Sequence, residues 1–172
     1  TVVNRSDAIL RSYDQSLRDR LLQITMARGI EYKFHCPLTK VEKLADGSLL
    51  ATPGKLEPLK ADVVLIATGR SPKTEGLGLD TAGIELGPKG EIPVDDYSKT
   101  ACDSIYAVGD VTGRKALTPV AIREGQAFAQ TVFGNRPTAV DLSLLGTAVF
   151  AEPEISTIGL TEDEAKTHGD ID

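Results

Sequence analysis

The spacing of apolar residues changes along the chain, and each change marks an element. Thr1-Val2-Val3 predicts a short strand already in mid-fold. From Asp14 to Arg28, Leu17, Leu21 and Ile24 recur at helical spacing, with Asp14 as the expected N-cap and Gly29 as the C′ residue. Lys40–Leu44 and Ser48–Thr52 flank Ala45-Asp46-Gly47, and Asp-Gly between strand-like runs predicts a hairpin. Pro53-Gly54 and Glu57-Pro58 break the next stretch into turns. Ala61 to Gly69 is a continuous apolar run rich in Val and Ile, the pattern of a strand covered on both faces. A second such strand, Ile105–Val108, closes on Gly109-Asp110. The following helix is expected to begin with Thr118 as N-cap and Pro119 at N1, to pack through Ala121, Gly125, Phe128 and Val132, and to stop at Gly134. Thr147–Phe150 and Ile155–Leu160 read as strands, and Thr161-Glu162-Asp163-Glu164 is a capping box opening a last helix. A strand at the first residue and an unfinished helix at the last lead to the expectation of a fragment of a longer protein.

Composition narrows the class. The chain has 172 residues, 41% hydrophobic and 26% charged, which is globular rather than disordered. A net charge of −6 argues against a nucleic-acid or anionic-membrane surface. No apolar run approaches the ~20 residues of a membrane span, and no signal peptide is recognised in the sequence. Cys36 and Cys102 lie 66 residues apart, neither a CxxC-type redox pair nor a zinc spacing, and are expected to be buried free thiols. His35 and His168 belong to no catalytic or metal-ligating arrangement. No catalytic residue and no metal site is therefore assigned.

Three places carry candidate chemistry. Gly109-Asp110 puts a carboxylate at the carboxyl end of a strand, where α/β folds bind ligands, and the glycine allows close approach. A strand-ending turn explains the same dipeptide. Thr118-Pro119 opens a helix whose unpaired N–H groups favour negative charge, although ordinary capping also accounts for Thr118. Arg5 and Arg11 follow the first strand, where a Rossmann unit meets the adenosine ribose. Arginine forks there match a 2′-phosphate, while two solvated surface arginines with Asp7 between them are the plainer account. The small residues of Ala67-Thr68-Gly69-Arg70 would let the chain approach a cofactor tightly, or simply leave a strand.

Taken together, these segments resemble the pyridine nucleotide-disulfide oxidoreductase family. Val64 to Pro72 is similar to its ATGR-x-P segment, and Ile105 to Val111 to its second FAD motif. Leu117-Thr118-Pro119-Val120-Ala121-Ile122 resembles the glutathione and trypanothione reductase branch, and Thr147 to Glu154 with Gly159 to Glu162 resembles the start of the dimerisation domain. The resemblance implies an α/β chain: residues 1–69 as the C-terminal part of an NADPH-binding domain with a small antiparallel meander, 70–136 as the second half of an FAD-binding domain, and 137–172 as the start of an α+β dimerisation domain. The two nucleotide-binding parts would be Rossmann-like.

It also implies roles. Gly109, Asp110 and Thr118 would contact FAD, Arg5 and Arg11 the 2′-phosphate of NADPH, and Gly69, Ala116 and Ala148 would add dinucleotide contacts, the last two through backbone or packing. The family's redox CxxxxC, its glycine-rich dinucleotide motifs and its acid–base His-Glu pair do not occur in these residues. The parent is thus expected to be a homodimeric, cytoplasmic NADPH-dependent flavoprotein disulfide reductase for a small-molecule disulfide, best fitted by glutathione disulfide, and the chain alone is expected to be inactive. Trypanothione disulfide, mercuric ion and dihydrolipoamide are the other substrates in the class, and a non-catalytic nucleotide-binding module is the alternative outside it.

Overall fold

The computed structural model describes residues 1–169. These form two compact units, one of residues 1–67 with 144–169 and one of residues 68–143.

In the first unit, β1 (Val2–Val3) pairs in parallel with β2 (Tyr32–Lys33), and α1 (Gln15–Ala27) connects them. The helix ends as its sequence dictates. Gly29 takes φ +93°, the Ile30 N–H donates to Thr25 O and the Gly29 N–H to Met26 O, which together close a Schellman motif. Leu21 and Thr25 are its buried residues, and the Thr25 hydroxyl meets the Tyr32 hydroxyl at 2.8 Å, tying helix to strand. Asp14 occupies the expected N-cap position but does not cap α1. Its Oδ1 instead accepts from the Glu162 N–H at 2.6 Å. β3 (Leu38–Lys43), β4 (Leu49–Pro53) and β5 (Leu59–Ala61) form an antiparallel meander, with Lys43 opposite Leu49 across the expected Asp-Gly turn. β6 (Thr147–Val149) and β7 (Ile155–Thr157) form an antiparallel pair, and α3 (Glu162–Lys166) opens with both halves of the Thr161–Glu164 capping box in place.

In the second unit, Ile84, Ile92 and Ala107 form a buried cluster against which Leu79, Val94, Cys102, Ile105 and Val111 pack. A 3-10 turn (Gly109–Thr112) leads to α2 (Thr118–Val132). The Phe128 ring packs on Tyr106 with centroids 5.1 Å apart. Cys36 and Cys102 are half-buried free thiols rather than fully buried ones.

Four further expectations are corrected. Only Ala61 of the Ala61–Gly69 run lies in a strand, and Val63, Leu65 and Ile66 are 79%, 86% and 66% exposed. Ile105–Val108 makes a single bridge, Lys99 to Tyr106, rather than a strand. Both runs have the composition of a central strand, but a strand exists only when neighbours pair with its N–H and C=O groups, and beyond Ala61 no described strand lies alongside either. Leu117, not Thr118, is the N-cap of α2, in extended conformation ahead of the proline. The buried face of α2 is Val120, Glu124 and Ala127, whereas Val132 is exposed, so the packed stripe is rotated from the one expected.

Local chemistry sets two tests. No atom lies within 4 Å of a Cβ built on Gly29, so Gly29→Ala should destabilise by conformation alone, about 1–2 kcal/mol, as read by urea denaturation. At the hairpin, Lys60 and Ser48 donate to the Asp46 carboxylate and lower its pKa from 3.8 to about 2. A depressed folded pKa gives stability that is present above the unfolded value and lost as pH falls toward the folded one. Asp46→Asn should therefore be less stable than the parent chain at neutral pH and lose that difference between pH 3.8 and about 2.

Candidate functional site

Asp110 and Thr118 lie in the same unit, and α2 is what relates them. Gly109, at φ +76°, starts the 3-10 turn and sits directly on α2: a Cβ built on it would stand 3.1 Å from the Ala121 Cβ. Only glycine takes this backbone at this separation without strain. The Gly109 N–H donates to Glu124 Oε2 at 2.6 Å, and the Thr112 hydroxyl closes the turn by donating to Gly109 O at 2.8 Å. The turn is thus held to the helix at Gly109 and closed on itself by Thr112, and Asp110 lies within it with an exposed carboxylate.

The start of α2 is chemically open. No side chain caps it, Thr118 is exposed, and Pro119 has no N–H to offer. The result is a carboxylate on a fixed turn beside an uncapped helix start. Such a pair can accept hydrogen bonds from hydroxyls and donate to a polar, electron-rich edge. Those are the needs of the ribityl chain and pyrimidine edge of a flavin, so the residues present fit that group. Arg70 comes within 3.9 Å of Asp110 at the surface, an ion pair that contributes little in water. Gly69 has φ +118° with open space around it, and Ala116 is exposed one residue before the N-cap of α2.

The residue that sequence reasoning missed is Glu124. The residue is 1% exposed, among the most deeply buried in the chain. While Oε2 holds the Gly109 N–H, Oε1 stands 3.0 Å from Arg114 Nη2, an ion pair slanted away from hydrogen-bond geometry. Arg114 Nη2 also donates to Ser98 Oγ at 3.3 Å, and Nη1 to Asp95 O at 3.4 Å. One charge pair, a buried glutamate with a half-buried arginine, therefore joins the 95–98 loop, the 3-10 turn and α2. Removing one partner of such a pair costs about 3–5 kcal/mol because the other is left buried and uncompensated. The signal in the sequence was a glutamate four residues after Val120 and three before Ala127, a charge within the apolar stripe of a helix.

The remaining candidates lie in the first unit. Arg5 and Arg11 share the loop after β1, and both are exposed. Asp7 approaches Arg11 Nε at 3.8 Å, while Arg5 makes no ion pair among the described residues. Exposed guanidinium groups of this kind fit a phosphate, with Asp7 as a competitor at one of them. Ala148 is exposed at the centre of β6, opposite Ser156.

A mixed α/β chain of small sheets, with an acidic turn held on a helix start, is the class these features define. A family model described as pyridine nucleotide-disulphide oxidoreductase matches residues 1–125, and the chain belongs to that family. It is 44% identical over 165 residues to the trypanothione reductase of Trypanosoma congolense, which covers 96% of this chain and 34% of that protein. It is 41% identical over 177 residues to the glutathione reductase of Nostoc sp., covering 96% and 39%. With the chloroplastic/mitochondrial glutathione reductase of Pisum sativum it shares 42% over 169 residues, covering 98% and 31%. The chain therefore spans 31–39% of the length of these relatives. Among solved structures, the HOCl-induced flavoprotein disulfide reductase RclA from Escherichia coli superposes with TM-score 0.88 at 25% identity over 96% of this chain and 38% of that one. LpdA from Mycobacterium tuberculosis does so with TM-score 0.89 at 28% identity, over 97% and 36%.

The packing of Gly109 gives a direct test. Gly109→Ala should destabilise the second unit by about 1–3 kcal/mol, through the strained φ and the Ala121 contact together. Adding Ala121→Gly should recover only the steric part. Full recovery in thermal denaturation would show that the backbone conformation carries no strain.

Proposed function

We propose that this chain is part of an NADPH- and FAD-dependent disulfide reductase whose substrate is glutathione disulfide. The supporting observation is the 41–44% identity to glutathione and trypanothione reductases along nearly the whole chain. In this reading residues 1–69 contribute to the NADPH domain, 70–136 to the FAD domain and 137–172 to a dimerisation domain, the first two being parts of Rossmann-like folds. The gene product works as a homodimer in the cytoplasm.

The chain's own residues then have these roles. Asp110 accepts a ribityl hydroxyl, and Gly109 lets the cofactor come close. The open start of α2 at Thr118 faces the pyrimidine edge of the flavin, where its dipole favours negative charge. Arg5 and Arg11 grip the 2′-phosphate of NADPH. Gly69, Ala116 and Ala148 leave room for dinucleotide through backbone and small side chains. When bound, the two cofactors supply hydride transfer and its relay to a redox disulfide. Cys36 and Cys102 are not that disulfide, because their positions in the chain match no redox pair. Trypanothione disulfide is the second reading, favoured by the 44% and 43% identity to trypanothione reductases of Trypanosoma congolense and Leishmania donovani.

Steady-state oxidation of NADPH by the natural gene product carrying this chain separates these readings. We expect turnover with glutathione disulfide and a lower kcat/KM with trypanothione disulfide. The reverse order would assign the second substrate, and turnover with neither would remove the proposal. For the coenzyme, charge-assisted contacts contribute about 1.5–3 kcal/mol each. Arg5→Ala with Arg11→Ala should accordingly cut the NADPH-over-NADH preference roughly a hundredfold or more. An unchanged ratio would make the two arginines solvated surface charges.

A further inference from the structure

We infer that Glu124 is a positioning residue for the flavin site: it acts through the Gly109 N–H to fix where the Asp110 carboxylate stands. The inference rests on the assignment of Asp110 to FAD made above, and extends it to a residue that does not itself touch the cofactor.

The structural reasons are cumulative. A carboxylate buried to 1% exposure on the packed face of a helix is costly unless its oxygens are engaged. Both oxygens of Glu124 are engaged with the segment around Asp110: Oε2 with the Gly109 N–H at 2.6 Å, and Oε1 with the Arg114 guanidinium at 3.0 Å. The two contacts bracket Asp110 along the chain, one immediately before it and one four residues after. Asp110 itself is exposed, and its surface pairing with Arg70 at 3.9 Å is too weak to orient it. Its backbone position is therefore set by the turn, and the turn by Glu124. Gly109 is what lets the turn lie this close to α2, since at its φ of +76° a Cβ would stand only 3.1 Å from the Ala121 Cβ. A bond between a charged acceptor and a backbone N–H, sheltered from water, has the directionality that positioning requires.

This role differs from simple packing in a measurable way. If Glu124 only stabilised the fold, its replacement would lower the melting temperature but leave the FAD affinity of the folded protein intact. If it positions Asp110, its effect on FAD affinity must vanish once the Asp110 carboxylate is gone, since the two residues then act in series.

The experiment uses the full gene product, stripped of flavin and titrated with FAD well below its melting temperature, with flavin fluorescence quenching as readout. Glu124→Gln preserves volume but replaces the charge-assisted bond to the Gly109 N–H by a weaker neutral one and loses the charge that pairs with Arg114. We expect its Kd for FAD to rise about tenfold. Asp110→Asn should raise Kd at least as much, and the double variant should match Asp110→Asn alone. Near-native Kd in Asp110→Asn removes the flavin assignment of Asp110, and the inference with it. Weakened binding in Asp110→Asn with native affinity in Glu124→Gln, or with strictly additive effects, leaves that assignment standing and overturns the role of Glu124. Should Glu124→Gln fail to fold, Arg114→Lys probes the same link from its half-buried end. It should raise Kd several-fold and be non-additive with Asp110→Asn, and native affinity there overturns the inference.

Discussion

The bond from the Gly109 N–H to the buried Glu124 carboxylate holds the second unit to its chemistry. Gly109 has no side chain of its own to anchor the 3-10 turn, so this bond supplies its polar link to α2. Arg114 completes the arrangement by neutralising the carboxylate and reaching the Asp95 carbonyl and the Ser98 hydroxyl. A buried ion pair is weak evidence for stability, because desolvation offsets most of its Coulomb gain. Its value here is geometric. It fixes the 95–98 loop and the 3-10 turn relative to one helix, and with the turn the segment that carries the exposed Asp110 carboxylate.

The two units solve the problem of small size differently. The first relies on local closure: a parallel strand pair bridged by α1, a meander, and a hairpin-like pair. Each carries its own turn chemistry, and polar links such as Thr25 to Tyr32 and Asp14 to Glu162 join them. The second has almost no regular sheet and depends on the Ile84, Ile92 and Ala107 cluster together with the Glu124 network. The apolar residues Val63, Leu65 and Ile66 stand exposed in neither kind of structure. Scattered exposed apolar side chains are ordinary, whereas three from one four-residue run form the kind of surface that proteins usually cover.

How much could be read from the sequence follows from the range of the interactions. The end of α1 at Gly29, the Asp46-Gly47 hairpin and the Thr161–Glu164 capping box were legible because all their partners lie within a few residues. The strands expected at Ala61–Gly69 and Ile105–Val108 were not realised, because periodicity reports a tendency to be buried and says nothing of which strand is alongside. The site was half legible. Gly109-Asp110 and Thr118-Pro119 were visible as a turn and a helix start, yet the agent that joins them was not. The partner of Glu124 is a backbone N–H, and a backbone N–H leaves no trace in residue types. Thr118 was misplaced by one position because an extended Leu117 ahead of a proline serves as N-cap without any polar side chain.

In the proposed function, the turn and helix of the second unit form part of a flavin site in a disulfide reductase. The most direct test is the flavin content of the purified gene product carrying this chain, for the native sequence and for Asp110→Ala. The account predicts a yellow protein with stoichiometric FAD, and loss of most of that FAD on dialysis of the variant. A colourless native protein that takes up no added FAD would contradict it, and so would a variant that retains its flavin as firmly as the native protein.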